Sequence, residues 1–299
     1  MKVWMSVNDQ VQKHLNRGLD LGEISRKEFA LFLYSNNYYR VSGYSHCLFD
    51  RTTTPLRYQS GVTASHLMEM CELDRRVRNL VLDGISVVET TVRSRVAYHV
   101  CSIIQGSEDY LNQSFYLPED AGPNSEDDRN WFAQVENRNF VLSDFGYAKS
   151  RDEPFVQHYV SNGEDLPLWV AIEVISIGTF SRFIKGMRDQ GPLAPVAKSL
   201  EIEDTKMFLQ AIHNLTYLRN IAAHHGRLWN RKLSGSVALP DIALRVKREY
   251  LHYKSPAALI TLLAGMVDQI EQDSSFSTNL FDLVYSNEDF AQGYHYPIL

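Results

Sequence analysis

From Leu67 onward, apolar residues recur at steps of three and four: Leu67, Met70, Leu73, Val77, Leu80, Val81, Ile85, Val88, Val92 and Val96. That is the period of an α-helix, and it holds as far as His99. The pattern predicts one long helix whose apolar face must be covered by other elements. Thr63 or Ser65 is placed to cap its start, and Gly84 is expected to bend it. Its other face carries Arg75, Arg76, Arg78, Arg93 and Arg95. Glu89 in this helix and Glu173 in a later apolar segment are expected to pair with arginines.

The rest of the chain reads as more helix. Residues 6–18 and 26–36 form two helices, and the Gly and Ser of YYRVSGY, 38–44, suggest a turn. PEDAGPNSEDDRN, 118–130, reads as an exposed loop before short helices at 131–145 and 153–160. PLWVAIEVISIGTFSRFIKGM, 167–187, reads as an apolar helix with Pro167 in its first turn and an interruption near Gly178. Residues 203–225 form a helix that Gly226 stops, and the last helix is 255–271, followed by an aromatic and polar tail from 286. Alternating runs are scarce, so the class is all-α. Three parts are expected: an N-terminal helical segment, 1–64, packed on the core; a helical domain, 65–255; and a C-terminal helix and tail, 256–299.

No apolar run reaches the ~18 residues of a membrane span, and the start lacks a signal-peptide pattern. Cys47, Cys71 and Cys101 are far apart and fit no zinc spacing. A reducing cytoplasm is the expected location, with no membrane partner. The net charge of −6 argues against a general pull on nucleic acid, but charge is unevenly spread. Eight Lys/Arg face two acidic residues between Arg219 and Lys254, and thirteen acidic residues face four basic ones between Glu108 and Asp165. A basic patch is therefore expected in the last third.

Within that patch lies LRNIAAHHGRLWNR, 218–231. Arg219 and His224 are spaced R-x-x-x-x-H, which alone says little, since Arg40/His46, Arg93/His99, Arg151/His158 and Arg245/His252 have comparable spacing. The density of polar groups is what singles it out. Asn220 and His224, four apart, share a helical face that a long Arg219 can reach. Paired across a twofold axis, two copies would surround one phosphate with two His and two Arg. RNA cleavage by transesterification needs those types: an imidazole to take the 2′-OH proton or protonate the leaving 5′-oxygen, and a guanidinium to hold the phosphate. The nucleophile belongs to the RNA, so no metal or cofactor is required. The plainer alternative is that His224 and His225 pack at a helix end with Arg219 in an ion pair.

LRNIAAHHGRLWNR resembles the closing motif of the AbiD/AbiF (Abi-like) abortive-infection proteins, members of the HEPN superfamily. QVQKHLNRGL at 10–19, YYRVSGY, the 72–100 helix, YLNQSFY at 110–116 and 167–183 resemble the family in the same order, over roughly residues 8 to 255. The resemblance implies a HEPN-like helical bundle that forms a homodimer. It also implies a metal-independent endoribonuclease acting on single-stranded RNA in phage defence. Arg219 would bind phosphate, His224 would be acid and base, and Asn220 would fill the polar position after the Arg. His225, Arg227, Trp229, Asn230 and Arg231 match the family string; Arg227 and Arg231 would guide RNA backbone and Trp229 would stack a base or pack in the core. A lethal nuclease needs restraint, so a neutralising RNA or protein, or a phage trigger, is implied. The alternative is a non-catalytic RNA-binding module of a phage-defence or toxin–antitoxin-like system.

Overall fold

The computed structural model describes residues 4–119, 122–123, 128–246 and 252–298. Three helices, α1 (Val7–Asn16), α2 (Arg26–Asn36) and α3 (Tyr38–Ser45), lead into a two-residue antiparallel pair, β1 (Phe49–Asp50) and β2 (Arg57–Tyr58). Then come α4 (Ala64–Cys101), α5 (Arg129–Ala148), α6 (Pro154–Ser161), α7 (Leu168–Val174), α8 (Ile177–Gly186), α9 (Leu193–Ser199) and α10 (Thr205–Ala223). The chain closes with α11 (Asp241–Val246), α12 (Pro256–Glu271), α13 (Ser275–Val284) and α14 (Glu288–His295). The fold is thus predominantly helical, with one minimal sheet. Among the described residues no helix is long and apolar enough to cross a membrane.

The periodic stripe forms α4, capped by Thr63, whose side chain accepts from the His66 amide. Helices α3, α7, α9, α10, α12 and α13 pack around it, which is how so long an apolar face is kept from water. Every residue of α12 from Pro256 to Val267 is buried, as an all-round apolar helix must be.

Several local expectations are corrected. α4 is one helix through Gly84, and that glycine serves packing: an added Cβ would lie 2.4 Å from the Phe276 ring of α13. YYRVSGY is helix α3, not a turn; the Asn37 side chain caps it by accepting from the Tyr39 amide. The 167–187 helix breaks at Ile175–Ser176, ahead of Gly178. Arg93 explains the break: its guanidinium donates to the Ile172 and Ile175 carbonyls that the end of α7 leaves unpaired. Arg93 and Arg78 are therefore buried inward from the face expected to be solvated. Glu89 pairs with Arg93, whereas Glu173 is exposed and joins no ion pair among the described residues. The chain beyond 271 forms α13 and α14, so 255–271 is not the last helix. Of the acidic loop at 118–130, residues 120, 121 and 124–127 lie outside the described residues.

Two contacts yield predictions. A Cβ on Gly265 of α12 would sit 2.7 Å from the Ala243 Cα of α11, a backbone atom that cannot swing aside. Gly265→Ala should cost about 1–3 kcal/mol in denaturant unfolding, more than Gly84→Ala, where a side-chain ring can give. His14 is buried with its Nδ1 2.6 Å from the Tyr58 hydroxyl and its Nε2 unpartnered. Burial first, then the charges of Arg17 and Lys13, lowers its pKa to about 4. The unfolded chain, with an ordinary histidine, binds that proton more readily. The stability is therefore complete above pH ~6.5 and is lost as pH falls toward 4, by on the order of 3 kcal/mol. His14→Phe should flatten that part of a stability-against-pH curve, and a curve unchanged by the substitution would refute the assignment.

Candidate functional site

Helix α10 carries the first half of the 218–231 stretch. Asp204 caps its start, accepting from the Met207 amide at 2.7 Å, and Phe208, Ala211, Ile212, Leu215, Leu218 and Ile221 seat it in the core. The opposite face is exposed and presents Lys206, Gln210, His213, Tyr217, Asn220 and His224 at three- and four-residue steps. Sequence reasoning places only the last two of these.

The helix ends in a left-handed stop. The His225 amide donates to the Ala222 carbonyl at 3.0 Å and the Gly226 amide to the Ile221 carbonyl at 2.7 Å. The residue with positive φ is His225, at +55°, and not Gly226. Gly226 is small for another reason: an added Cβ would lie 3.1 Å from both the Ile221 carbonyl oxygen and its Cγ2. A histidine at this φ bears a steric cost that glycine would not. His225→Gly should therefore raise stability, by up to about 1 kcal/mol, as read from the unfolding midpoint. A loss would show that the imidazole itself holds the turn.

Arg219, Asn220, His224 and His225 sit at this end of α10. Asn220, His224 and His225 are exposed and Arg219 is half-buried. The contact of the Arg219 guanidinium is with the Asn220 amide oxygen, at 3.4 Å; among the described residues it has no carboxylate partner. The His224 imidazole has no hydrogen-bond partner among them either. The expectation of packed histidines and an ion-paired Arg219 is thus not met.

The second half of the stretch turns inward. Trp229 is buried, stacked between Tyr44 at 6.2 Å and Phe290 at 6.5 Å, which takes it away from any base in solution. Asn230 is buried too, accepting from the Ile298 amide and donating its own amide to the Gly293 carbonyl. The Arg227 guanidinium donates to the Trp229 carbonyl and to the Cys47 thiol, and Arg231 donates to the Arg227 carbonyl at 2.7 Å. These two arginines, expected to guide RNA backbone, are spent on the loop's own shape. The basic patch shrinks accordingly. Arg245 pairs with Glu201, and Lys247 and Arg248 lie outside the described residues. Arg219, Lys232 and Lys254 remain without a carboxylate among the described residues.

What holds the loop is Asp74, which is fully buried in α4. Its carboxylate accepts from the Leu228 amide at 3.2 Å, the Trp229 amide at 2.8 Å, the Tyr44 hydroxyl at 2.6 Å, the Tyr294 hydroxyl at 2.9 Å and the Arg78 guanidinium. Burial, then the Asp74 charge, raises both tyrosine pKa values far above the usual range, so they remain donors. Asp74 escapes the sequence reading, yet a signal is present. It sits four residues after Met70 and three before Val77, a charge on the buried stripe. Arg40 of α3 also reaches the motif, donating to the His225 carbonyl at 2.9 Å.

Among the described residues no three His, Cys, Asp or Glu side chains are grouped so as to hold a metal ion. No curated protein and no solved structure matches the chain at a significant level. One family model does match, over residues 31–230, a span that runs from α2 through Asn230 and omits the QVQKHLNRGL segment. With two thirds of its length inside that match, the chain belongs to the Abi-like protein family.

Proposed function

We propose that this protein is a phage-defence endoribonuclease of the cytoplasm that cuts single-stranded RNA without a metal, through Arg219 and His224. The observation that carries the proposal is the division of labour in residues 218–231. Arg227–Arg231 are committed to structure, while Arg219, Asn220 and His224 lie at the end of α10 and join no ion pair among the described residues. Family membership supports the link to abortive infection.

In this reading His224 draws the proton from a ribose 2′-OH, the O2′–P bond forms and the P–O5′ bond breaks. A histidine then protonates the departing 5′-oxygen, and Arg219 steadies the charge on the phosphate, with Asn220 orienting it. One imidazole cannot face both oxygens at once, so a homodimer is proposed in which a second copy supplies the other. The exposed face of α10 offers the surface for the twofold contact. Restraint by a neutralising RNA or protein, or release by a phage trigger, completes the proposal.

The test is cleavage of end-labelled single-stranded RNA by purified protein in EDTA. Fragments ending in 2′,3′-cyclic phosphate, made by the parent chain and absent with His224→Ala, are the expected result. RNA bound but never cut would move the assignment to a binding module.

A further inference from the structure

Two clefts adjoin on the N-terminal side of the motif. The first, of about 840 Å³, lies between α2, α3 and α4; Arg40, Arg75 and Tyr34 line it, and His225 closes one end. The second, of about 920 Å³, lies between α1 and α2–α3 and is lined by Trp4, Lys13, Tyr38 and Tyr39. Tyr34 and Asn37 line both, so the two clefts are neighbours across these residues. The first begins at the backbone of His225, one residue from His224.

The lining is unusual for a solvent surface. Trp4 is 84 % exposed, Tyr34 78 % and Tyr39 65 %, three large rings on neighbouring clefts. Cations share the same clefts. The Lys13 ammonium lies 5.1 Å from the Tyr38 ring centroid, and Arg40 is exposed beside His225. Neither Lys13 nor Arg40 joins an ion pair among the described residues. Two carboxylates share the first cleft, but Glu72 is paired with Arg75 and Glu69 accepts from the Asn287 amide. Exposed rings together with uncompensated cations are the means by which a protein holds a single strand: bases stack on the rings and phosphates follow the charges.

We infer that the two clefts together are the track for single-stranded RNA, which leaves the Arg219–His224 centre past His225 and Arg40 and stacks its bases on Tyr34, Tyr39 and Trp4. The inference rests on the ribonuclease reading for the identity of the strand. It accounts for both faces of the YYRVSGY helix, because Tyr44 builds the loop from inside while Arg40 and Tyr39 meet the RNA outside.

The test uses the full chain carrying His224→Ala, so that RNA is held and not cut. Binding of a fluorescein-labelled 12-residue oligouridine is followed by anisotropy, with and without Tyr34→Ala/Tyr39→Ala. Both tyrosines are exposed, so the thermal midpoint should not move, while the Kd should rise by about tenfold or more. Arg40→Gln should lower the slope of log affinity against log salt by about one phosphate contact. Crosslinks from 4-thiouridine should map to Tyr34, Tyr39 or Trp4. A Kd within twofold of the parent, or no RNA binding by the parent, overturns the track. So does a dimer that dissociates on Tyr34→Ala/Tyr39→Ala with RNA affinity unchanged, since the face would then belong to a second copy. Failure of the nuclease reading looks different: RNA held through Tyr34 and Tyr39 but never cleaved by the parent chain.

Discussion

Replacing Asp74 with alanine should lower the free energy of unfolding by about 3–5 kcal/mol. The carboxylate is wholly enclosed and accepts five hydrogen bonds. Its loss leaves Arg78 as a buried charge without its counter-ion, and strands two backbone amides, Leu228 and Trp229, away from water. A typical domain is stable by only ~5–15 kcal/mol, so the variant should melt far earlier and be poorly soluble. Tyr294→Phe offers the graded comparison: one donor is removed, the ring stays, and the cost should be about 1 kcal/mol. Both are read from the denaturant midpoint with the slope held constant. An Asp74→Ala midpoint no lower than that of Tyr294→Phe would mean that the loop holds its shape without the carboxylate.

His224→Ala should do the opposite, removing activity and sparing the fold. The imidazole is exposed, so the stability change should stay within about 0.5 kcal/mol, while RNA cleavage should fall by at least ~100-fold, the usual contribution of a positioned acid or base. Arg219→Ala should cost a similar factor and also weaken RNA binding, because a guanidinium meets phosphate in the bound state as well as in the transition state. The proposed pairing of two histidines makes a sharper demand. Adding excess His224→Ala protein to the parent, with time for subunits to exchange, should cut activity well beyond simple dilution, since mixed dimers carry one imidazole. Activity that follows the parent concentration alone would exclude a shared centre. Cleavage that persists in pure His224→Ala would exclude this histidine altogether.

How much of this is legible in the sequence differs from residue to residue, for physical reasons. The periodic stripe of α4 is readable because burial along a helix repeats with the helix. The start of α2 carries a local signal as well, since Ser25 and Glu28 form a capping box there. The α7–α8 break is legible to within a few residues, near Gly178, but its partner Arg93 is not, because it lies some eighty residues away in the chain and no local pattern reports it. Arg219, Asn220 and His224 can be singled out by their company. Trp229, Asn230 and Arg227 cannot be separated from them, because a family string marks what is shared and not what faces water. Only Asp74, Tyr44 and Tyr294, drawn from three distant segments, reveal that half of the string is a clasp.

That clasp also sets an order in time. Asn230 is fixed by Gly293 and Ile298, Trp229 lies against Gly293 so closely that an added Cβ would be 2.2 Å from its indole nitrogen, and Asp74 receives Tyr294. All three partners are made more than sixty residues after the motif they secure. A chain that ends before α14 therefore has the Asp74 and Tyr44 side of the clasp without its Gly293, Tyr294 and Ile298 side. For a protein proposed to be lethal to the cell that makes it, the loop that follows the proposed centre thus gains its last contacts only when α14 is made.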